Sequence, residues 1–391
     1  MGAELTRRDF LKLCALLGVG AVVTLYSSDI KRVVGQVAEQ GGGKIHLIWL
    51  NLASDTGCTI SMLQASNPDL IEAVENLGIS ADFWKALMTP DYDLGWVTAG
   101  YTQEDLSQVP LFNAAFGDAP VDVLVVEGAP QIGTPQGSTQ GYFCTTGKYN
   151  GSPVTGYDLL QKLAAKASYV VAVGQCSSFG GIPAASGNLT GAVSVNDALK
   201  QASVSTKHPV INIPGCPANP DWTLVTLANV LQGIDPDLDD QGRPKAFFTS
   251  YIHDNCPRRE AYNKGQMAKT FDDPEGCFWE LGCKGPITQS SCAKPPLWNG
   301  NTGFCTKTGP MCWGCMHPNF PDPPTSEFFA PVERTPTILG VNVDEVGEVA
   351  IAGAAGILAV HAIRRSIGKK EGEREEAKAP PSPDEPSGAR Q

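Results

Sequence analysis

The sequence predicts an α/β fold, in which a parallel-sheet domain is followed by a mostly irregular, cysteine-rich domain. Over the first half of the chain, four apolar runs of strand length alternate with helix-like stretches. This alternation is typical of a mostly parallel sheet that is covered on both faces. Between residues 221 and 330 the periodicity fades, and Cys, Pro, Gly and Trp become frequent. Such a segment can hardly build a conventional core, but bound metal clusters could hold it, because their binding energy becomes folding energy.

Each predicted strand leads into residues that are unusual in a core. Strands are predicted at 45–50, 121–126, 169–173 and 209–213, and helices between them at 69–77 and 157–167. The segments after the strands are Asp55-Thr56-Gly57-Cys58, Glu127-Gly128-Ala129-Pro130, Gly174-Gln175-Cys176 and Pro214-Gly215-Cys216-Pro217. In open α/β sheets, ligands bind beyond the carboxyl ends of the strands. We therefore expect these segments to converge on one edge of the sheet. The alternative is that their cysteines simply pack in the core.

The number and placement of the cysteines are the most informative features of the composition. The chain of 391 residues has 12 of them, and seven lie between Cys256 and Cys315. Such a cluster indicates either disulfides or a metal framework. The net charge of -12 gives no electrostatic support for binding nucleic acid.

The first 43 residues are predicted to be an export signal and a flexible hinge. Thr6-Arg7-Arg8-Asp9-Phe10-Leu11-Lys12 precedes an apolar run over 13–26, a pattern typical of a twin-arginine signal. An ordinary signal or a short membrane anchor is the alternative. The twin-arginine route exports proteins already folded in the cytoplasm, where disulfides are rare. The signal therefore favours metal over disulfides. It also predicts a location in the periplasm or on the outer face of the cytoplasmic membrane.

The C-terminal segment, 331–391, is predicted to contain a helix at 346–365. Its apolar stretch over 349–363 has fifteen residues including His361, whereas a membrane-spanning helix needs roughly 20. It is therefore either a short membrane helix or a helix that binds a partner. The charged, Pro-rich residues after 371 are typical of disorder. The other boundaries are predicted at 44–220 for the parallel-sheet domain and 221–330 for the cysteine-rich domain.

Further candidate metal ligands follow in the second domain. They are His253-Asp254-Asn255-Cys256, then Cys277 and Cys283 before Lys284-Gly285-Pro286, then Cys292, Cys305 and Cys312-Trp313-Gly314-Cys315. Over about residues 44–322, the order of these motifs resembles that of the small subunit of nickel–iron hydrogenases. The resemblance implies three iron–sulfur clusters, which are held mainly by thiolates. With it we expect a flavodoxin-like first domain and an iron–sulfur second domain.

The resemblance assigns a proximal four-iron cluster to Asp55, Cys58, Cys176 and Cys216. Most members of the family have cysteine at the position of Asp55, whereas a few oxygen-tolerant members use aspartate. The alternative is that Asp55 caps the helix that begins near Cys58, which leaves three thiolates. Some oxygen-tolerant relatives carry two extra cysteines, at positions that are Gly57 and Gly181 here. That route to oxygen tolerance is therefore absent.

The other two clusters are assigned to the second domain. The distal four-iron cluster would be held by His253, Cys256, Cys277 and Cys283, with a zinc ion as the alternative for this set. The medial cluster would be held by Cys292, Cys305, Cys312 and Cys315. Family members often have only three medial cysteines and a proline in place of Cys305. A four-iron medial cluster of lower potential is therefore expected, unless Cys305 is a buried bystander.

The resemblance implies an electron-transfer subunit of a hydrogenase complex. A separate large subunit would hold the nickel–iron centre, and electrons would leave near His253. The expected acceptor is a membrane cytochrome b or another carrier. His361 could ligate a haem in that partner, or it could simply lie favourably at a helix end. Heterodimers could also assemble further. Glu127 is expected near the large subunit, where it either passes protons or is a hydrogen-bonded structural carboxylate.

Two other functions stay open at this point. One is a hydrogen-sensing or other iron–sulfur electron-transfer subunit, against which the export signal weighs. The other is an exported binding protein stabilised by zinc or disulfides. Cys14 lies in the signal and Cys144 follows Gly141-Tyr142-Phe143, and neither is assigned a role.

Overall fold

The structure is a computed structural model that describes residues 46–66, 110–231 and 233–321, with short pieces at 331–332, 337–338, 341–342 and 358. Three predictions lie outside the described residues: the export signal and hinge at 1–43, the helix at 69–77, and nearly all of the C-terminal helix at 346–365. The chain divides into two compact units, Met1–Val332 and Glu333–Gln391.

The described elements follow one another in this order: β1 (Leu47–Asn51), α1 (Gly57–Met62), α2 (Pro110–Phe116), β2 (Val123–Glu127), β3 (Thr145–Tyr149), β4 (Ser152–Thr155), α3 (Gly156–Lys166), β5 (Tyr169–Val173), α4 (Gln175–Phe179), α5 (Val195–Gln201), β6 (Ile211–Ile213), α6 (Pro220–Leu231), α7 (Arg259–Asn263), α8 (Trp298–Asn301), α9 (Cys305–Thr308), β7 (Thr337–Ile338) and β8 (Val341–Asn342). Short 3₁₀ turns occupy Ile182–Ala184, Ile252–Asn255, Phe278–Leu281 and Ser291–Ala293.

A parallel sheet in the order β1-β2-β5-β6 forms the centre of the first unit. Its strands are short, buried runs rich in Val, Ile and Leu, as expected when both faces of a sheet are covered. The last residues of the four strands pair in one row: Asn51, Glu127, Val173 and Ile213. The carboxyl ends therefore finish level with one another, and the loops that follow start from a common edge.

Successive side chains of each strand enter two different cores. Leu124, Val126 and Ala172 pack on one face with helices α2, α3 and α5. Val125 and Val171 pack on the other face with α1 and α6. This separation follows from the alternation of side chains along a strand. Strands β3 and β4 form a separate antiparallel pair that leads into α3, where Thr155 and Asp158 make a capping box.

Residues after α6 are mostly irregular. Helices α7, α8 and α9 have no more than five residues each. Two small hydrophobic clusters are present, one around Trp222, Phe247 and Phe248, the other around Phe278 and Met311. Candidate ligand cysteines belong to or pack against both clusters. The segment thus has more apolar packing than its periodicity predicts, because a few aromatic side chains bury large areas without a repeating pattern.

The predicted α/β class is confirmed. The four strands lie within two residues of their predicted bounds, and the helix predicted at 157–167 is α3. The predicted boundary between residues 220 and 221 falls at the first residues of α6 and stays a prediction. In the second unit, β7 and β8 form an antiparallel pair. Within the described part of the chain, no helix is both long enough and apolar enough to cross a membrane.

Candidate iron–sulfur sites

The first candidate site lies at the carboxyl edge of the parallel sheet. Cys58 lies in α1 after β1, Cys176 in α4 after β5, and Cys216 in the loop after β6. Burial raises the pKa of Cys58, and negative charge on Glu127, Cys176 and Cys216 raises it further. Burial also raises the pKa of Cys176 to about 12, with charge on Cys216 and Asp55 adding to the effect. The three thiols therefore lie close enough together to influence one another's ionisation.

Asp55 lies at the same site. Burial raises the pKa of Cys216, and the charge of Asp55 raises it further. Its Oδ1 accepts a hydrogen bond of 2.9 Å from the backbone N–H of Gly57, although the N-cap of α1 is Thr56, which makes no side-chain cap. A carboxylate has two oxygens. One can hold the start of α1 while the other faces the thiols, so the two interpretations of Asp55 are compatible.

A side chain at either position of the two extra cysteines would crowd its neighbours. A Cβ atom at Gly57 would lie 2.8 Å from Asp55 Oδ1. Gly181 has a φ of +54°, and a Cβ there would lie 3.0 Å from Cys176 Cα. Both positions would need a shift of the surrounding atoms to carry any side chain.

Glu127 is 1% exposed and holds α1 against the sheet. Its Oε1 accepts hydrogen bonds from the backbone N–H groups of Cys58 (3.0 Å) and Thr59 (3.2 Å) and from Ser54 Oγ (3.4 Å). Its Oε2 accepts from Trp49 Nε1 at 3.0 Å and from the Thr59 hydroxyl. Five donors thus converge on one carboxylate, an arrangement typical of a structural anion.

The second candidate site surrounds His253. The residue is 5% exposed, and its ring lies edge-on to Tyr262 and Trp279. Its buried Nε2 has no hydrogen-bond partner, although buried polar atoms normally have one. Burial lowers the pKa of His253 to about 4, so the imidazole is neutral and Nε2 can act as a ligand. Burial raises the pKa of Cys283 to about 11, and charge on Cys256 and Cys277 adds to it.

The third candidate site contains Cys292, Cys312 and Cys315. Burial raises the pKa of Cys292 to about 11, whereas hydrogen bonds from Ser290 and Trp298 lower it and charge on Cys305 raises it. Burial raises the pKa of Cys315 to about 12, and charge on Cys292 and Cys305 adds to it. Cys305 is exposed at the start of α9. It is therefore exposed rather than buried, and its charge reaches Cys292 and Cys315.

Backbone contacts join the three sites. The backbone N–H of Cys216, in the first site, donates to the thiol of Cys315, in the third. The backbone N–H of Cys312, in the third site, donates to the thiol of Cys283, in the second. The third site therefore lies between the other two along the chain of contacts.

Among the described residues, the thiols are neither joined in disulfides nor grouped around a single point. The cysteines of the described residues are all free. Among these residues, no three His, Cys, Asp or Glu side chains form a group that could hold one metal ion. A four-iron cluster makes a different demand, because each ligand binds a separate iron.

Comparison with known proteins places the chain in a family. A family model for the NADH ubiquinone oxidoreductase 20 kDa subunit matches residues 56–230. A model for the C-terminal part of the NiFe/NiFeSe hydrogenase small subunit matches residues 248–328. The small subunit of the periplasmic [NiFeSe] hydrogenase of Desulfomicrobium baculatum is 37% identical over 333 residues, covering 82% of this chain and 97% of that one. This chain belongs to the family of nickel–iron hydrogenase small subunits.

Other hydrogenases agree with this assignment. The small subunit of F420 non-reducing hydrogenase II of Methanosarcina mazei is 34% identical, over 94% of this chain and 95% of that one. A crystal structure of the H2-activated [NiFeSe] hydrogenase of Dm. baculatum superposes with a TM-score of 0.61 and 36% identity, covering 74% of this chain and 100% of that one. The chain is therefore the electron-transfer subunit of a hydrogenase and works with a large catalytic subunit.

Small subunits of this family carry iron–sulfur clusters, and the residues described here fit such groups. Buried thiols with raised pKa values are poorly suited to stand alone as thiolates, whereas iron stabilises that form. The buried, unpartnered Nε2 of His253 could act as a nitrogen ligand. Cys144 is buried elsewhere, against Gly156, and Cys14 lies outside the described residues.

Several residues that surround the three candidate sites could not be found from the sequence. Trp298 Nε1 donates to Cys292 Sγ at 3.4 Å, and Gln175 Nε2 donates to the carbonyl of His317 at 2.7 Å. Lys284 is 1% exposed. Burial lowers its pKa, and a thiolate at Cys283 opposes that shift. For Lys284, the only sign in the sequence is its position directly after Cys283.

Proposed function

We propose that this small subunit relays electrons from hydrogen oxidation in the large subunit to a respiratory acceptor through three four-iron clusters. The proximal ligands would be Asp55, Cys58, Cys176 and Cys216. The medial ligands would be Cys292, Cys305, Cys312 and Cys315. The distal ligands would be His253, Cys256, Cys277 and Cys283. When bound, the clusters would supply one-electron redox centres. The main support is the sequence of contacts from Cys216 to Cys315 and from Cys312 to Cys283, which matches the order proximal, medial, distal.

The protein's own contribution is to bury the ligands and to direct hydrogen bonds at their sulfurs. The backbone N–H of Ala218 donates to Cys58 Sγ at 3.4 Å, and the Trp298 indole donates to Cys292 Sγ at 3.4 Å. Such bonds stabilise negative charge on sulfur and so raise the reduction potential of a cluster. Glu127 would fix the helix that carries Cys58, rather than pass protons, because all five of its donors come from the surrounding protein.

The two parts of the first unit would divide these tasks. Residues 44–220 would hold the proximal cluster at the sheet edge, and residues 221–330 would hold the medial and distal clusters. Short helices and irregular backbone in the second part suit a domain whose stability depends on bound metal.

The termini support the proposed location and acceptor. The twin-arginine pattern at Arg7-Arg8 would export the folded complex, and the Dm. baculatum relative is named as periplasmic. The apolar helix at 346–365 would contact the membrane or a membrane cytochrome b, with His361 as a haem ligand in that partner. Heterodimers could assemble further on such a membrane partner. These terminal residues lie outside the described part of the chain, apart from Leu358.

Electron paramagnetic resonance of the heterodimer purified from its native host tests the proposal. Exposure to hydrogen should bring up signals of reduced four-iron clusters, and no three-iron signal should appear on oxidation. Clusters that hydrogen fails to reduce would contradict the hydrogenase role. A three-iron signal in the oxidised enzyme would contradict ligation by Cys305.

A further inference from the structure

Lys284 is a lysine inside the protein, although lysines are almost never fully buried. It is 1% exposed and is among the largest fully buried side chains of the described residues. It follows Cys283 directly and precedes Gly285. A Cβ atom at Gly285 would lie 3.5 Å from Cys283 Sγ and 3.6 Å from Cys312 Cβ. Candidate ligands of two different clusters therefore pass within contact distance of this short segment.

The backbone and the side chain of Lys284 both face the medial ligand segment. Its N–H donates a hydrogen bond of 2.8 Å to the carbonyl of Cys312. Its aliphatic stem packs on Gly314, which lies between Cys312 and Cys315. A Cβ atom at Gly314 would lie 2.8 Å from Lys284 Cβ and 3.2 Å from its Cγ. The close fit requires glycine at 314, which also has a φ of +74°. Lys284 therefore lies between the proposed distal and medial ligand sets.

We propose that Lys284 is a positioning residue for electron transfer, whose buried ammonium group raises the reduction potentials of the distal and medial clusters together. The inference rests on the ligand sets proposed above. Adding an electron makes an iron–sulfur cluster more negative, so a nearby positive charge stabilises the reduced form. The effect is stronger in the protein interior than at the surface, because water screens surface charge. Negative clusters on either side in turn compensate the cost of burying the ammonium.

A redox titration of the hydrogenase heterodimer, followed by electron paramagnetic resonance, tests this role. Lys284→Met removes the charge and keeps a long apolar stem, whereas Lys284→Arg keeps the charge. We expect the Met variant to lower the distal and medial potentials while the proximal potential stays unchanged. The equilibrium constant for moving one electron from the distal to the proximal cluster should then rise about tenfold. The Arg variant should stay close to the wild type. Lys200→Met, which removes an exposed lysine of α5, is the control for a change in net charge.

The inference is overturned by potentials that do not move in the Met variant, by equal shifts of all three clusters, or by an Arg variant that shifts as far as the Met variant. Lys284→Gln gives a second neutral variant if Lys284→Met does not assemble. If both neutral variants lose their clusters, Lys284 acts in assembly and the inference is again wrong. Failure of the proposed ligand sets looks different, because the wild type itself would then lack three separable clusters.

Discussion

Asp55 Oδ1 accepts a hydrogen bond of 2.9 Å from the backbone N–H of Gly57, two residues further along the chain. This bond fixes the carboxylate beside the candidate proximal site, where its charge raises the pKa of Cys176 and Cys216. One residue thus serves the start of a helix and the edge of a candidate metal site.

Substitutions at Asp55 should separate these two roles. Asp55→Asn keeps an oxygen for the Gly57 N–H but removes the anionic ligand, whereas Asp55→Cys supplies the thiolate usual in the family. If Asp55 ligates iron, Asp55→Cys keeps the proximal cluster with a changed potential, and Asp55→Asn and Asp55→Ala both alter its spectrum. If Asp55 only caps, Asp55→Asn behaves as the wild type and Asp55→Ala costs about 1 kcal/mol of stability. Paramagnetic resonance and thermal unfolding of the heterodimer distinguish the two results.

Cys305→Pro should convert the medial cluster to a three-iron form. Cys305 is the first residue of α9, a position that accepts proline because the first N–H groups of a helix have no intrahelical partner. Loss of the fourth thiolate leaves one iron without a protein ligand. The oxidised variant should then show a three-iron signal and a higher medial potential. Cys144→Ser, in the core away from the three sites, is the control. A medial signal unaltered by Cys305→Pro would show that Cys305 is not a ligand.

His253→Ala should change the distal cluster and slow the exit of electrons. The substitution removes the only nitrogen ligand proposed for the iron–sulfur clusters, and His253 Nε2 has no other partner in the described structure. We expect hydrogen-driven reduction of an external dye to fall by more than about tenfold. Isotope exchange between deuterium gas and the protons of water, a reaction that needs only the centre in the large subunit, should continue. His208→Ala, at a partly exposed histidine paired with Asp235, is the matched control. An unchanged distal spectrum in His253→Ala is the result that argues against ligation.

Glu127→Gln should destabilise the protein without blocking proton transfer. An amide cannot accept from all five donors, so at least one buried donor, such as Trp49 Nε1, loses its partner at a cost of about 1–3 kcal/mol. The midpoint of thermal unfolding of the heterodimer should fall. Glu260→Gln, at an exposed i,i+4 ion pair with Lys264, should have little effect. If Glu127 passes protons, the rate of isotope exchange between deuterium gas and the protons of water should instead fall by about a hundredfold or more. The stability of the protein should then change little.

The sequence predicts for a physical reason that Cys58, Cys176 and Cys216 meet at one edge of the sheet. Buried strands of a parallel sheet must be continuous apolar runs, so their ends can be identified, and Cys58, Cys176 and Cys216 stand just beyond them. The five hydrogen bonds of Glu127 could not be predicted. They depend on how α1 returns over the sheet, and no periodic pattern encodes that path.

The second half of the chain is less predictable still. Candidate ligands there can be proposed from their motifs, but the residues that surround them cannot be predicted. The burial of Lys284 and the bond from Trp298 to Cys292 arise from irregular backbone, where hydrophobic periodicity carries no information. The expectation of a segment without a conventional core also missed Phe247 and Phe248, which are buried against Trp222.

The four strands end in one row, formed by Asn51, Glu127, Val173 and Ile213. This alignment limits where residues can be inserted into such chains. One residue inserted within β5 would carry the start of α4, with Cys176, forward by about 3.3 Å and would turn strand side chains to the opposite face of the sheet. An insertion in the segment 203–208, between α5 and β6, would leave that row intact. Insertions and deletions tolerated among relatives should therefore collect in loops away from the carboxyl edge, and strand lengths should be the quantity that evolution holds fixed.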